Sequence, residues 1–183
     1  GRVRGVAWWG ASAWRGLEQG WWLGRPGTWL GNGLPARWQA RDQFVILETG
    51  FDQGQQFLQT WSQWRNDAGR CRHLFFVAID KQPPPRAQLE QHLQPLTRDK
   101  QRLLDAWPVH MPGLHALSLD DESGQVTLLL CHGDVADVMP SLVMQVDAVY
   151  LHADRVDDGL VSRLGRLAAP GCTVAASHAG INT

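Results

Sequence analysis

The sequence predicts an α/β fold built on a doubly wound, mostly parallel sheet. From residue 43 onward, short apolar runs of strand length alternate with segments whose apolar residues recur at helical spacing. The first run ends at Glu48 and enters a helical segment through a turn bracketed by Gly50 and Gly54. Acidic residues also close or follow later runs, at Asp80 and Asp134. In a sheet of this kind ligands bind outside the carboxyl ends of the strands, so these residues are the first candidates for a site.

In chain order, residues 44–47 read as the first strand and 55–65 as the first helix, with Phe57, Leu58, Trp61 and Trp64 on its apolar face. The glycines between them suit left-handed backbone and close approach of a ligand, and the helix start offers free N–H groups to an anion. Residues 74–79 form a second buried run ending in Asp80-Lys81. Pro83, Pro84 and Pro85 close it and lead into a helical stretch over 86–93, followed by another over 98–106. Residues 126–131 read as the third main strand; the hairpin-like Asp120-Asp121-Glu122-Ser123-Gly124 before it lets 114–119 pair with it. A short helix is predicted over 135–142, a strand over 146–151, a helix over 159–167 and a last strand over 172–176.

At 183 residues and 44 % hydrophobic, the chain is long enough for one domain with a full core. The net charge of -1 provides no global pull toward nucleic acid or membrane. Charge is uneven, however: Arg2, Arg4, Arg15, Arg25, Arg37 and Arg41 face only Glu18 and Asp42 in the first 42 residues. Seven of the ten tryptophans also lie there, with no sustained period. Residues 1–42 therefore read as a Trp/Arg/Gly-rich N-terminal extension, and 43–183 as the α/β domain. The extension has two readings. It is an irregular layer packed over one edge of the domain, or a surface whose aromatic faces and arginines meet nucleic acid. Cys71, Cys131 and Cys172 are far apart and form no CxxC, which points to reduced thiols and a cytoplasmic location. No apolar run reaches ~18 residues, so no membrane span is expected. The histidines show no HxxxH or HExxH spacing, and no metal site is expected.

The strand-end residues carry a definite chemistry. An acid ending the second strand is placed for ribose hydroxyls, one after the third for an adenine amino group, and one beside the glycine turn for an ammonium group. Each of those ligand groups donates, and an ionised carboxylate only accepts.

Several segments follow one family in order. They are Leu30-Gly31-Asn32-Gly33-Leu34-Pro35, residues 44–58, Phe76-Val77-Ala78-Ile79-Asp80-Lys81, Leu104-Asp105-Ala106-Trp107-Pro108, residues 133–140, residues 146–151 and residues 164–171. Together they resemble the methyltransferase half of the bacterial bifunctional tRNA wobble-uridine modification protein MnmC. The resemblance implies a Rossmann-like class I methyltransferase domain over 43–183, S-adenosylmethionine (SAM) as cofactor, and methylation of the aminomethyl group of the tRNA wobble uridine. It implies cofactor contacts at Glu48, Gly50, Asp52, Gly54, Asp80, Lys81 and Asp134, with His152 and Asp154 facing the methyl acceptor. tRNA is the implied partner, and the Trp-rich extension could meet a protein partner instead.

The chain departs from the family pattern at chemically important places. Where the family's turn reads E-T-G-F-G-T-G-x-N, Asp52 replaces the middle glycine and Gln56 the asparagine. Asp52 brings a carboxylate toward the methionine carboxylate of SAM. After the fourth main strand His152-Ala153-Asp154 stands where the family has L-D-G-F-A-P-A. The family's C-terminal hairpin and oxidase half are expected to be missing. Two functions follow: the family methyltransferase, or a catalytically inactive descendant serving as a binding or structural module.

Overall fold

In the computed structural model, residues 32–110, 112–152 and 158–177 are described, the side chains through residue 175. Six strands form one sheet: β1 (Gln43–Thr49), β2 (His73–Asp80), β3 (Leu114–Ser118), β4 (Gln125–His132), β5 (Val146–His152) and β6 (Ala168–Ser177). Five α-helices accompany them: α1 (Gln55–Asn66), α2 (Arg86–His92), α3 (Arg98–Ala106), α4 (Val135–Val138) and α5 (Asp158–Leu167). The strand order is β3-β4-β2-β1-β5-β6, parallel throughout except for the antiparallel β3–β4 pair. This is the doubly wound, mostly parallel sheet expected. The order reverses between β1 and β5, which makes that gap the switch point where such sheets bind ligands.

Alternation along β1 shows why both faces are covered. Phe44 and Ile46 join a cluster with Phe57, Trp61, Trp64 and Phe76 on one face; Val45 and Leu47 join Val77, Ile79, Leu164 and Val174 on the other. A strand buried on both sides reads as a continuous apolar run, which is why these strands were visible in the sequence. On the first face the aromatic rings are in direct contact. Phe57 stacks on Trp61 at 5.6 Å and meets Phe76 edge-on at 5.2 Å. Arg65 and Arg102 lie over Trp61 at 4.9 and 5.3 Å, and both pair with Asp121, tying α1 and α3 to the β3–β4 turn.

Two elements differ from the expectation. The helix predicted over 135–142 is a single α-turn, α4, followed by the 3-10 turn Met139–Ser141. Pro140 lacks the N–H that an α-helix would use there. The last strand starts earlier than predicted, at Ala168, directly after α5, and pairs with β5 through a register shift between Val146 and Ala148.

Of the N-terminal extension only residues 32–42 are described. The six tryptophans Trp8, Trp9, Trp14, Trp21, Trp22 and Trp29 lie outside the described residues, as do most of its arginines. Trp38 is fully buried in the core and donates its Nε1–H to Asp67 at 2.7 Å. Asn32, Arg37 and Trp38 anchor this segment to the sheet. All three cysteines are buried, and desolvation pushes their thiols up, Cys71 to about 11 and Cys131 and Cys172 to about 12. Among the described residues no helix is long and apolar enough to cross a membrane, and no group of three or more His, Cys, Asp or Glu could hold a metal ion.

Candidate active site

The sheet brings the candidate residues to the carboxyl ends of four adjacent strands. Register pairs Glu48 of β1 with Tyr150 of β5 and Thr49 with Leu151, so Glu48 and His152 come within reach across the switch point. His152 Nε2 lies 3.1 Å from Glu48 Oε2. The His152 backbone is held as well: its N–H donates to Thr49 Oγ1 at 2.9 Å, and the Thr49 hydroxyl donates to the His152 carbonyl at 3.3 Å. Thr49 was not singled out in the sequence, since nothing about a threonine at a strand end signals this clamp.

Glu48 is 1 % exposed, and its second oxygen, Oε1, is buried without a hydrogen-bond partner. Burial therefore pushes the carboxyl up to about 7, with Asp80 and Asp52 adding to the shift and His152 opposing it. The imidazole of His152 is raised in turn, first by its hydrogen bond to Glu48. An unpartnered buried carboxyl oxygen is expensive to keep unless a donor is meant to meet it.

The turn from β1 to α1 folds over the end of β2. Gly50 has φ +99° and donates its N–H to Ile79 O at 2.6 Å. Asp52 has φ +52°, in the left-handed region, which Asp tolerates better than most residues. Gly54 caps α1 at φ +76°, and a Cβ there would lie 2.8 Å from the Phe51 ring. Phe51 is itself buried and stacked on Trp107 at 5.4 Å. Gly54→Ala therefore combines backbone strain with a clash, and we expect a cost of about 1–3 kcal/mol, read as a lower urea midpoint. A variant as stable as the parent would show that the turn is not held in this form.

Asp80 ends β2 and faces the turn. Its Oδ2 accepts the backbone N–H of both Phe51 and Asp52 at 3.0 Å, and Oδ1 accepts from Gln82 N–H at 2.8 Å. Beyond it, Lys81 Nζ pairs with Asp134 Oδ2 at 2.9 Å, while Asp134 Oδ1 accepts from Ala136 N–H and caps α4. That pairing raises the Lys81 ammonium and lowers the Asp134 carboxyl. Glu48, Gly50, Asp52, Gly54, Asp80, Lys81, Asp134 and His152 thus lie along one edge of the sheet. Asp154 lies outside the described residues.

No family model matches the chain. Among curated proteins it is similar to the tRNA 5-methylaminomethyl-2-thiouridine biosynthesis bifunctional protein MnmC of several bacteria. It is 46 % identical to that of Methylibium petroleiphilum over 154 residues, which cover 79 % of this chain and 23 % of the relative. It is 43 % identical to that of Burkholderia ambifaria over 158 residues, 79 % of this chain and 24 % of the relative. The chain is homologous to a part of MnmC. The resemblance to the methyltransferase half of MnmC drawn from the motifs is borne out. The chain spans about a quarter of the length of the curated relatives it matches. The solved structure of MNMC2 from Aquifex aeolicus aligns with 74 % of this chain and 43 % of its own at a TM-score of 0.49 and 15 % identity.

Proposed function

We propose that this chain binds SAM at the carboxyl ends of β1, β2 and β4 and methylates the aminomethyl group of a tRNA wobble uridine. The observation that carries this reading is the buried Glu48 carboxylate at the switch point, with Oε2 on His152 and Oε1 awaiting a donor. The ammonium group of SAM is such a donor, and the cofactor fits the residues present in this respect. Asp80 Oδ1 retains one lone pair for a ribose hydroxyl, since only Gln82 uses the other. Asp134 would accept from the adenine amino group once Lys81 swings aside, an exposed pair costing little to part.

When bound, SAM supplies a sulfonium methyl, which passes to an amine nitrogen while sulfur keeps the electron pair. The chain's own task is to position the amine and take its proton. The Glu48–His152 pair at the switch point would orient the acceptor amine and take up its proton. tRNA is the proposed partner; residues 43–183 together with the packed segment 32–42 are the proposed catalytic unit, and 1–31 the segment proposed to contact RNA or protein.

Calorimetric titration tests the reading. SAM should bind at micromolar concentration, and Asp80→Ala should weaken it about tenfold to a hundredfold by removing a charged acceptor and the anchor of the turn. No heat at millimolar SAM would reject the enzyme reading in favour of the inactive binding module.

A further inference from the structure

Glu48 Oε1 has a neighbour in the same condition. Register sets Glu48 of β1 level with Tyr150 of β5, and neighbouring strands lie about 4.8 Å apart. Both residues stand on the sheet face that α1 covers. Two positions earlier on each strand, Ile46 and Ala148 share one cluster with Tyr150, Phe57 and Trp61. Tyr150 is 4 % exposed, yet its hydroxyl, like Glu48 Oε1, is buried without a hydrogen-bond partner. The polar side chains beside it are committed elsewhere. Asn32 donates to Val149 O and accepts from the Thr173 hydroxyl, while the Thr60 hydroxyl donates to Gln56 O at 2.7 Å. Burial pushes the phenol up to about 12, with Asn32 and Thr60 opposing and the Glu48 charge adding to it, so the hydroxyl keeps its proton. The other such atom among the described residues, Trp61 Nε1, belongs to a ring covered by Arg65 and Arg102.

From this we infer that Glu48 and Tyr150 form one subsite for a primary ammonium group, with Glu48 Oε1 accepting one N–H and the Tyr150 oxygen a second. The assignment rests on the adenosyl-binding reading above and adds to it a residue that separates ligands carrying an amine from those without one. An ammonium group only donates, and it has several N–H groups to place. A carboxylate oxygen supplies the opposite charge, and a phenol oxygen beside it supplies a further acceptor without a second buried charge. Each of these atoms destabilises the fold while it stays unpaired, and one guest that bonds to both relieves both. Tyr150 thus binds and positions the amine; it takes no part in the proton transfer.

Tyr150→Phe, which removes a single oxygen and keeps the ring, tests this in two measurements. Parent and variant are titrated with SAM and with 5′-methylthioadenosine, which carries the adenosyl group but no amine. SAM should bind the variant about tenfold more weakly, and methylthioadenosine should bind both proteins within about twofold. The urea midpoint of the variant should equal or exceed that of the parent, because the oxygen removed has no partner within the fold. SAM bound equally by both proteins would overturn the subsite and leave the adenosyl site standing. Equal weakening of both compounds would also overturn it, since Tyr150 would then act on the shape of the cleft and not on the amine. A lower urea midpoint would overturn it by showing that the hydroxyl is bonded inside the protein. No binding of either compound to the parent would remove the adenosyl site and the subsite together.

Discussion

Replacing Glu48 by Gln should make the fold more stable above neutral pH while depriving it of its ligand. Glu48 is buried, its carboxyl is pushed up to about 7 from an ordinary 4.5, and the first cause is desolvation. A group whose folded value lies above its unfolded one stabilises below the unfolded value, and that contribution is lost as pH rises through the folded value. For Glu48 the window runs from about 4.5 to about 7. His152 is also raised by its partner, so its contribution is present below 6.5 and fades as pH climbs past its folded value. The facing groups are Asp52, Asp80 and His152, and the two acids push in the same direction. Stability should therefore fall from about pH 5 to about pH 8 in the parent. Gln keeps the shape and donates an amide N–H to the imidazole without a buried charge. At about pH 8 the variant should be roughly 2–3 kcal/mol more stable, and near pH 5 the two should nearly coincide. SAM affinity should fall at least about tenfold, since an amide oxygen accepts a charged donor less strongly than a carboxylate. Urea titrations at both pH values give the first result and calorimetry the second. Parallel stability curves would mean that the Glu48 carboxyl titrates in the fold as it does in the unfolded chain.

That combination, a destabilising group kept where a ligand would need it, could not be read from the sequence alone. The acid at the end of the first strand was legible, because a buried strand shows as an apolar run and its last residue stands out. Its partner was not. Glu48 and His152 are 104 residues apart, and they meet only because β1 and β5 are neighbours with Thr49 level with Leu151. Asp80 shows the same division. Its place after the second strand marked it as a candidate, but the closure of the turn onto Oδ2 depends on Gly50 and Asp52 both adopting positive φ. For the fold, α3 and the β3–β4 pairing followed from local pattern and the 120–124 turn. The start of β6 did not, since Ala168 pairs with Val146 across a register shift, and the next residues, Gly171 and Thr173, are held by Arg37 from a segment more than a hundred residues earlier.

That segment carries the second large effect. Arg37→Ala is expected to cost about 3 kcal/mol or more, because one guanidinium organises the amino ends of β5 and β6. Arg37 donates to Asn32 O at 2.9 Å, to Asp147 O at 2.7 Å, to Gly171 O at 2.9 Å and to the Thr173 hydroxyl. The neighbouring groups depend on that arrangement. Asn32, fully buried, donates to Val149 O at 3.2 Å and accepts from Thr173 Oγ1 at 2.8 Å. Asp147, 5 % exposed, accepts from Val45 N–H at 2.9 Å and pairs with Arg41 at 3.0 Å. These contacts surround the register shift between β5 and β6, where a regular ladder does not satisfy the backbone. Removing the guanidinium leaves the part-buried acceptors Asn32 O, Asp147 O and the Thr173 hydroxyl without this donor, and each such group costs about 1–3 kcal/mol. Arg37→Lys separates charge from shape. A lysine retains the charge and loses the planar fork, so it should recover less than half of the loss. Urea unfolding with an unchanged slope would give both numbers. A lysine variant as stable as the parent would show that charge alone holds β5 and β6 together, and an alanine variant within about 1 kcal/mol would show that this network stabilises little.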